Sequence, residues 1–396
     1  FDDRPYGDMT GMCGHQVEPI DNLDYANSMR ARTEHTGTTG LPETQLQDSI
    51  VANETLSWIR EHEAKETGSP WFLTAGFSRP HFPLTAPSRW IDYYTRHGVS
   101  EPMVPASGDA YNHPMSVGMR KGFLAEQVDN DECMKARRAY FACVSYLDEV
   151  IGDLLVRLDA DGHLDNTIVV YSSDHGEMAG EHGVWWKNGW YEACTRVPLI
   201  ISTPESRKRS SPAVCTTPVA LIDIFPTLCA LSAVAAPQGC DGRDISAGLQ
   251  KGELEDQPVS CDALVPRWGE GTEFRSVRFR NLKYVRFRNA PPLCFDLGTD
   301  PGEQKNLLAG DPPEKHRAAI DRLEKYSEET MDFSMAEEER LHRDGSLHDD
   351  FPEILDTGVP ADYRNCYCLP DGRLIDAECH LYQPKVALRR AADGLE

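Results

Sequence analysis

The amino-acid sequence predicts an α/β protein with a largely parallel central sheet flanked by helices, followed by a smaller α+β domain with an antiparallel sheet. Two observations predict the first part. Strand-length apolar runs alternate with helical patterns up to about residue 264, and these runs end in polar loops. A third observation predicts the second part, because short alternating segments with tight turns begin at residue 265.

Three apolar runs have the length of buried strands. They cover residues 71–77 (WFLTAGF), 167–172 and 197–202 (VPLIIS). A strand of a parallel sheet is covered on both faces and is therefore continuously apolar. Binding and catalytic groups gather at the carboxyl ends of such strands. The loops after residues 77 and 172, which both carry histidine, are therefore the places where we expect a site.

Helical patterns separate and follow these runs. The expected helices cover residues 48–66, 136–158, 219–234 and 314–329. The second is the clearest, because Tyr140, Val144 and Leu147 begin a series of apolar residues at spacings of three and four. Residues 98–135 lack a regular pattern, and we expect them to be irregular.

The length and composition suit more than one domain. A chain of 396 residues with 40% hydrophobic content can bury a large core. We expect a larger domain over residues 1–264, a smaller domain of antiparallel sheet and helix over 265–334, and an acidic C-terminal extension over 335–396.

The strong negative charge restricts the partners. A net charge of −24 argues against nucleic acid, because phosphate binding needs clustered Lys and Arg. An anionic ligand would need a local positive centre, such as a metal ion or a few fixed cations. No apolar run reaches the about 20 residues that span a bilayer, so we expect no membrane span. The cytoplasm, the periplasm and secretion all stay open, and a homo-oligomer is compatible with the sequence.

The stretch SSDHGEMAGEHGVWWK, residues 172–187, concentrates ionisable groups directly after an apolar run. Asp174 can direct a carboxylate at a hard cation, and His175 can ligate a metal or hydrogen-bond an anion. Lys187 beside aromatic residues can act as a fixed cation for an oxyanion. Each residue also has a structural interpretation: Asp174 as a helix cap, His175 as a packed side chain and Lys187 as a surface lysine. Their crowding into one loop favours function.

A histidine follows the run at 71–77. His81 lies in SRPHFP, where the flanking prolines restrict the backbone and fix the direction of the side chain. It could serve as a general acid or as an anion ligand. The alternative is an ordinary loop histidine.

These motifs together carry a resemblance. SSDHGEMAGEHGVWWKNGWYEACTRVPLI resembles the sulfatase family of the alkaline-phosphatase-like superfamily, closest to its choline-sulfatase and iduronate-sulfatase-like branch. WFLTAGFSRPHFPLTAP, YFACVSYLDEVIGDLL, LIDIFPTLCALSAV and FDLGTDPGEQKNL are similar to further segments of that family, in the family's order, over roughly residues 1–335.

The resemblance implies an alkaline-phosphatase-like fold and hydrolysis of a sulfate ester, from a small molecule or a carbohydrate. In the family, a cysteine in C-x-P-S-R is converted to formylglycine, whose hydrated aldehyde attacks sulfur. The resemblance implies Asp174 and His175 as ligands of Ca²⁺, with Mg²⁺ or Mn²⁺ as alternatives. It also implies Lys187 as a sulfate contact and His81 as a group near the leaving alcohol. As a further hypothesis, Trp185, Trp186 and Trp190 line the leaving-group pocket.

One half of the family's site is not found in this sequence. C-x-P-x-R and the family's G-K-x-H motif do not occur, and Asp2-Asp3 does not follow an apolar strand as the family's metal-binding pair does. The nearest string is TAPSR, residues 85–89, which we reject because it follows the His81 motif and is not expected between a strand and a helix. We expect the larger domain to be N-terminally incomplete, with the formylglycine on a segment upstream.

Two alternatives stay open at the level of the sequence. A phosphodiester or phosphonate monoester hydrolase of the same superfamily would share the fold and the metal. A binding-only pseudo-sulfatase would keep the fold and lack a nucleophile.

Overall fold

The structure is a computed structural model. It describes residues 29–34, 36–65, 68–104, 108–187, 189–264, 272–339 and 342, and the backbone of two further short strands. In chain order the helices are α1 (Arg30–Thr33), α2 (Gln47–Ala64), α3 (Ser88–His97), α4 (Asp109–Asn112), α5 (Pro114–Gly122), α6 (Asn130–Ala160), α7 (Glu192–Thr195), α8 (Pro204–Arg207), α9 (Ile224–Leu231), α10 (Ser246–Lys251) and α11 (Glu314–Thr330). The strands are β1 (Gly37–Thr38), β2 (Thr85–Ala86), β3 (Val169–Ser172), β4 (Leu199–Ser202), β5 (Val259–Ala263), β6 (Phe274–Phe279), β7 (Leu282–Phe287), β8 (Leu293–Asp296), β9 (Cys366–Cys368) and β10 (Leu374–Asp376).

The chain forms two compact units. In the part that is described, the first unit contains residues 29–101 and Phe123–His163, and the second contains Pro102–Gly122 and 164–342. Neither unit coincides with the domains predicted over 1–264 and 265–334, and that division stays a prediction. Most of the predicted extension over 335–396 lies outside the described residues.

The long helix α6 is the centre of the first unit. Its start is fixed by Asp129, whose carboxylate accepts the backbone N–H of Glu132 at 2.8 Å. Helices α1, α2 and α3 pack against it, and so does β2, which pairs in parallel with β1. Small buried residues of α6, Ala142 and Cys143, let Ala86 of β2 approach closely. The helices predicted over 48–66 and 136–158 are confirmed as α2 and α6.

The strand predicted over residues 71–77 is not formed. These residues are extended, and their side chains alternate between half-buried and exposed, but no ladder joins them to another strand of the described chain. A strand requires a partner for its backbone N–H and C=O groups. The apolar pattern therefore predicted correctly that residues 71–77 are extended. The prediction that they pair in a sheet was wrong.

The second unit begins with a two-stranded sheet of β3 and β4. The strands predicted at 167–172 and 197–202 are confirmed, but they pair antiparallel, with Val169 opposite Ser202. Among the described strands, only β1 and β2 are parallel. Strand periodicity predicts which residues are extended, but it does not predict the direction in which strands pair. The largely parallel sheet is therefore not found among the described strands of this unit.

An antiparallel sheet in the order β5-β6-β7-β8 completes the second unit. Helix α11 packs on β6 and β7, and the core between them contains Val277, Tyr284, Ile320 and Leu323. The meander and the helix predicted over 314–329 are confirmed. The sheet gains one strand that the sequence did not predict, β5, which lies before residue 265 and pairs with β6.

Two other predictions need adjustment. Residues 98–135, expected to be irregular, contain the short helices α4 and α5. The helix expected over 219–234 is shorter, because a 3₁₀ turn at Leu221–Asp223 precedes α9. Across the residues described, no helix combines the length and the apolar character that crossing a membrane requires.

Candidate active site

Strand β3 delivers Asp174 to the surface of the second unit. Its side chain is 83% exposed. One carboxylate oxygen, Oδ1, accepts the backbone N–H of His175 at 2.9 Å and faces the Ser173 hydroxyl at 3.4 Å. The local hydrogen bonds therefore orient the carboxylate and leave it facing solvent, as a carboxylate that binds an external ion must be.

The His175 ring is fixed in one tautomer by its own loop. Nδ1 lies 2.8 Å from the carbonyl oxygen of Gly176. Because a carbonyl oxygen can only accept, Nδ1 carries the proton and the Nε2 of the neutral ring carries a lone pair. Nε2 lies 3.4 Å from Asp174 Oδ2 and 3.0 Å from Lys187 Nζ. A carbonyl that orients a histidine in this way is a common support of metal-binding imidazoles.

A loop closed by Glu177 brings Lys187 back to His175. The Glu177 carboxylate accepts the backbone N–H of Ala179 at 3.1 Å and that of Trp186. Met178 N–H donates to the carbonyl of Trp186 at 3.0 Å, which closes the loop at the same end. Trp186 has a φ of 84°, a conformation rare for bulky residues, so these bonds hold a turn that it would not adopt readily alone.

Helix α7 packs directly behind His175. Gly176 N–H donates to the carbonyl of Cys194 at 2.8 Å. A Cβ on Gly176 would lie 2.0 Å from the carbonyl oxygen of Ala193, which is far inside van der Waals contact. The glycine is therefore required by the close approach of two backbones, and α7 sets the position of the loop that carries Asp174 and His175.

A buried ionic cluster holds α7 in turn. Lys283 Nζ lies 3.1 Å from a Glu192 oxygen and 2.7 Å from a Glu303 oxygen, and the Lys283 side chain is only 1% exposed. Glu303 also accepts the backbone N–H of Glu192 at 2.6 Å, and Arg278 pairs with Glu192 at 2.6 Å. Burial opposes the charge of Lys283, but attraction to Glu303 and Glu192 outweighs it and raises the pKa of Lys283.

Two further ionisable residues of the 172–187 stretch have structural positions. Glu181 accepts the backbone N–H of Val104 at 2.8 Å. His182 is buried and stacks on Tyr191 with ring centroids 3.7 Å apart. Burial is the main cause that lowers the pKa of His182 to about 4; the charges of Arg120 and Lys283 also lower it, and a backbone hydrogen bond to Gly302 opposes them. His182 is therefore neutral at pH 7.

His81 belongs to the first unit, in the loop after the extended residues 71–77. Its backbone N–H donates to Ser78 O at 3.0 Å, and its Nδ1 lies 2.9 Å from Phe82 O. The ring stacks on Phe82 at 4.3 Å between centroids. As in His175, the carbonyl contact places the proton of the neutral ring on Nδ1.

The structure thus brings Asp174, His175 and Lys187 together and places His81 in the other compact unit. The three tryptophans predicted for the leaving-group pocket are buried: Trp185, Trp186 and Trp190 are at most 2% exposed. Trp190 packs edge-on against Phe287 at 4.8 Å and Phe274 at 5.7 Å. This burial favours a packing role, and their assignment to the pocket stays a prediction.

Asp174 and His175 fit a divalent cation as a pair of ligands. They offer a solvent-facing carboxylate and an imidazole lone pair within 3.4 Å of each other. No cluster of three or more His, Cys, Asp or Glu suited to a metal occurs in the described parts of the chain. The donor pair does not select calcium, because calcium prefers oxygen ligands and imidazole suits transition metals better.

Sequence reasoning missed the residues that support this loop. Glu177 lies in the stretch itself, yet its partners are backbone amides that no residue pattern reveals. Glu192 and Glu303 are 111 positions apart and meet only in the folded chain. A charged residue between apolar residues of a strand, such as Lys283 in LKYVRF, was the available signal of a buried ionic partner.

One reason for rejecting the string at 85–89 was wrong. Thr85 lies in β2 and α3 begins at Ser88, so the string does sit between a strand and a helix. The short β2 forms because it pairs with β1, which the sequence did not predict. Its place after the His81 motif remains the argument against Thr85 as a nucleophile.

Comparison with known proteins identifies the family. The family model described as Sulfatase matches residues 8–234. The choline-sulfatase of Rhizobium meliloti (strain 1021) is 30% identical over 264 residues, which cover 65% of this chain and 50% of the relative. The chain thus spans about half the length of the curated relatives it matches.

Two solved structures show the fold. A protein in complex with its substrate D-glucosamine-2-N,6-O-disulfate is 20% identical, with a TM-score of 0.57 over 72% of this chain and 69% of that protein. The phosphonate monoester hydrolase of Silicibacter pomeroyi is 21% identical, with a TM-score of 0.60 over 89% of this chain and 69% of that protein. The alkaline-phosphatase-like fold expected from the sequence is confirmed.

Proposed function

Because the chain belongs to the sulfatase family, we propose that it is part of a sulfuric ester hydrolase, and that Asp174, His175 and Lys187 form one half of its sulfate-binding site. The observation that carries this proposal is the meeting of a carboxylate, an imidazole lone pair and an ammonium group at the end of β3. Lys187 Nζ lies 3.0 Å from His175 Nε2, and that nitrogen lies 3.4 Å from Asp174 Oδ2.

Lys187 is proposed to bind a sulfate oxygen. A sulfate ester is a poor electrophile because its sulfur is surrounded by electron-rich oxygens, so fixed positive charge is needed where negative charge develops. The bonds of Glu177 to the backbone of Ala179 and Trp186 hold the turn next to Lys187, and Lys187 Nζ lies 3.0 Å from His175 Nε2. This preorganisation supports transition-state stabilisation, because no reorganisation is required during the reaction.

Asp174 and His175 are proposed to hold a divalent cation. Members of this family depend in general on formylglycine and a metal ion. When bound, such a cation would neutralise charge on the sulfate oxygens. The Gly176 carbonyl keeps the His175 lone pair on the side of Asp174 Oδ2 and Lys187 Nζ, and Ser173 and the His175 backbone orient the Asp174 carboxylate. Calcium rests on the family resemblance, with Mg²⁺ or Mn²⁺ as alternatives.

His81, with both ring nitrogens protonated, is proposed to transfer its Nε2 proton to the bridging oxygen of the leaving group, which departs as the alcohol and leaves the neutral Nδ1–H ring. Its Nδ1 bond to Phe82 O leaves Nε2 as the ring nitrogen that can exchange a proton with a ligand. The nucleophile is proposed to be formylglycine, which this sequence does not itself supply because it contains no C-x-P-x-R.

The substrate class is proposed to be a sulfate ester of a small molecule or a carbohydrate. A structural neighbour was solved with a disulfated glucosamine as its substrate, and a sequence relative is a choline-sulfatase. The chain's charge of −24 supports the need for a concentrated positive site to bind such anions.

A second candidate is a phosphonate monoester or phosphodiester hydrolase. The observation that favours it is the match in fold to the phosphonate monoester hydrolase over 89% of this chain. Sulfate and phosphonate esters share tetrahedral geometry and anionic oxygens, so the three side chains alone would bind either. A monoanionic sulfate and a monoanionic phosphonate ester present the same charge to Lys187.

The test is the specificity of the protein purified from its source. We expect kcat/KM for 4-nitrophenyl sulfate to exceed that for 4-nitrophenyl phenylphosphonate and for bis(4-nitrophenyl) phosphate. A higher value for either phosphorus ester would establish the second candidate. Binding of sulfate without hydrolysis of any ester would establish a binding-only relative.

A further inference from the structure

A buried ion pair lies beneath the loop that carries His81. Asp48, in the first turn of α2, has a side chain that is 0% exposed, and that of its partner Arg79 is 4% exposed. The Nη1 of Arg79 donates to Asp48 Oδ2. Neither residue has a part in the chemistry proposed above, although Arg79 is separated from His81 by only one residue.

The pair is bonded to both ends of the loop. The other oxygen of Asp48, Oδ1, accepts the backbone N–H groups of Ser78 at 2.8 Å and Arg79 at 3.2 Å. At the far end, Arg79 Nε donates to the carbonyl of Thr85 at 3.0 Å. One carboxylate and one guanidinium thus attach the start and the end of the segment 78–85 to the body of the first unit.

The same pair is attached to the central helix. The Arg79 guanidinium lies over the ring of Tyr146 in α6, 5.4 Å from its centroid. His81 itself is bonded to its own loop, through its backbone to Ser78 and through Nδ1 to Phe82. The conformation of the loop therefore sets the direction of the His81 ring. Asp48 and Arg79 in turn set the conformation of the loop.

Stability alone gives a weak reason for such a pair. Burying two charges costs desolvation energy that their attraction only about balances, so a buried ion pair is often no better than apolar residues of the same size. Its particular contribution is geometric, since a carboxylate with fixed lone pairs defines the positions of three N–H donors.

We propose that Asp48 is a positioning residue for His81: through Ser78 and Arg79 it fixes the loop in which His81 serves as proton donor to the leaving group. This inference rests on the proposed function, which assigns that role to His81. It adds a residue 33 positions earlier in the chain, on α2, to the machinery of leaving-group protonation.

The dependence of kcat on the leaving group distinguishes a residue that positions His81 from one that only supports the fold. 4-Nitrophenolate leaves without protonation, whereas an alkoxide needs a proton, so loss of a general acid affects alkyl sulfates selectively. We expect Asp48→Ala to lower kcat for an alkyl sulfate at least about tenfold more than kcat for 4-nitrophenyl sulfate, within the range of general acid catalysis. Asp48→Asn, which keeps an acceptor oxygen for the two loop amides, should recover part of that loss.

Asp223 provides a matched control in the other compact unit. It is also buried, accepts the backbone N–H groups of Ala220 at 3.0 Å and Arg243 at 2.9 Å, and pairs with the Arg243 side chain at 3.3 Å. Asp223→Ala should change kcat for both esters by the same factor. An equal effect of Asp48→Ala on both esters, or a further selective loss when it is combined with His81→Ala, would overturn the proposal.

Two additional measurements keep the test decisive. If Asp48→Ala does not fold, Asp48→Leu/Arg79→Met removes both charges together with the acceptor for the two loop amides, leaves no unpaired buried ion, and must show the same selectivity. If the wild-type protein hydrolyses neither ester, the proposed function fails, and ¹⁵N chemical shifts of the His81 ring test the positioning alone. Loss of the Nδ1–H tautomer in Asp48→Ala but not in Asp223→Ala supports it, and an unchanged tautomer overturns it.

Discussion

The chemistry of single residues is set by their nearest backbone groups. His175 and His81 each have Nδ1 within 2.9 Å of a carbonyl oxygen, so in each neutral ring Nδ1 carries the proton and Nε2 the lone pair. His182 lies only a few positions from His175, but it is buried against Tyr191. The two histidines of one loop therefore differ in their surroundings: His175 contacts Asp174 and Lys187, whereas His182 is packed in the core.

His182 gives a prediction for the pH dependence of stability. Its pKa is lowered by burial to about 4, from an ordinary 6.5, so the unfolded chain binds the proton more tightly than the folded chain. The free energy of unfolding therefore falls as the pH drops from about 6.5 toward about 4. Between pH 7.5 and pH 5 this residue should remove about 2 kcal/mol.

Urea denaturation of the wild type and of His182→Asn at both pH values measures this effect. Asparagine tolerates the left-handed backbone of His182, whose φ is 55°, and it does not titrate. The variant should show a smaller loss of stability at pH 5 than the wild type. Equal losses in the two proteins would show that His182 does not titrate in this range.

At the residue scale, the sequence indicated the candidate site groups and missed the residues that support them. Asp174, His175 and Lys187 are neighbours along the chain, so their meeting could be inferred from one short stretch. Asp48 is 30 positions from Ser78 and bonds to its backbone N–H, which is present at every non-proline residue and leaves no mark in the sequence.

At the scale of elements, α7 connects the ionic cluster to the loop of Asp174 and His175. Glu192 begins the helix and is held by Lys283 and Glu303. The carbonyls of Ala193 and Cys194, the two residues that follow Glu192 in the same turn, face Gly176. A substitution that displaces Glu192 should therefore also displace the loop of Asp174 and His175, and a substitution at Gly176 should displace α7.

A substitution at Gly176 tests the contact of the loop with α7. Gly176→Ala would place Cβ 2.0 Å from the Ala193 carbonyl oxygen, so one backbone must move. We expect a loss of about 1–3 kcal/mol in the free energy of unfolding, typical of overpacking, and reduced sulfate affinity. Gly189→Ala is the control, because its Cβ would meet nothing nearer than 3.6 Å. Equal stability of both variants would argue against the close approach.

A substitution at Lys283 tests the cluster itself. Lys283→Met would leave the carboxylates of Glu192 and Glu303 in the interior with a partner removed, and we expect a loss of about 3–5 kcal/mol. The control is Arg280→Met, which breaks an ion pair with Asp256 whose arginine side chain is 68% exposed. That change should cost less than about 1 kcal/mol. Urea midpoints measure both, and a small effect of Lys283→Met would contradict the account.

Element prediction succeeded where one pattern was sufficient. Helices α2, α6 and α11 have an apolar face, and the meander has alternation with turns. The strand predicted at 71–77 was wrong because pairing depends on residues far away in the sequence, which a local pattern does not show. Helices α4 and α5 were missed because nine residues or fewer give too little periodicity to recognise.

At the scale of the whole molecule, the fold class and the family were both accessible from the sequence. The order of the motifs along the chain carried that information, since the segments around His81, α6 and residues 172–187 follow one another as in sulfatases. Strand direction was not accessible: β3 and β4 are apolar and strand-length, yet antiparallel. The start of the antiparallel sheet was also missed, because β5, with the sequence VSCDA, has little apolar character.

The most direct test of the central claim is the effect of Lys187→Met on kcat/KM for a sulfate ester, in the protein purified from its source. Methionine keeps the length of the side chain and removes the charge. We predict a loss of at least about 100-fold, as for removal of one preorganised group that stabilises developing charge. We also predict little change in thermal midpoint, because Lys187 is only partly buried. Lys251→Met, at an exposed position in the last turn of α10, should keep full activity. Activity within threefold of wild type in Lys187→Met, or a loss matched by unfolding, would contradict the account.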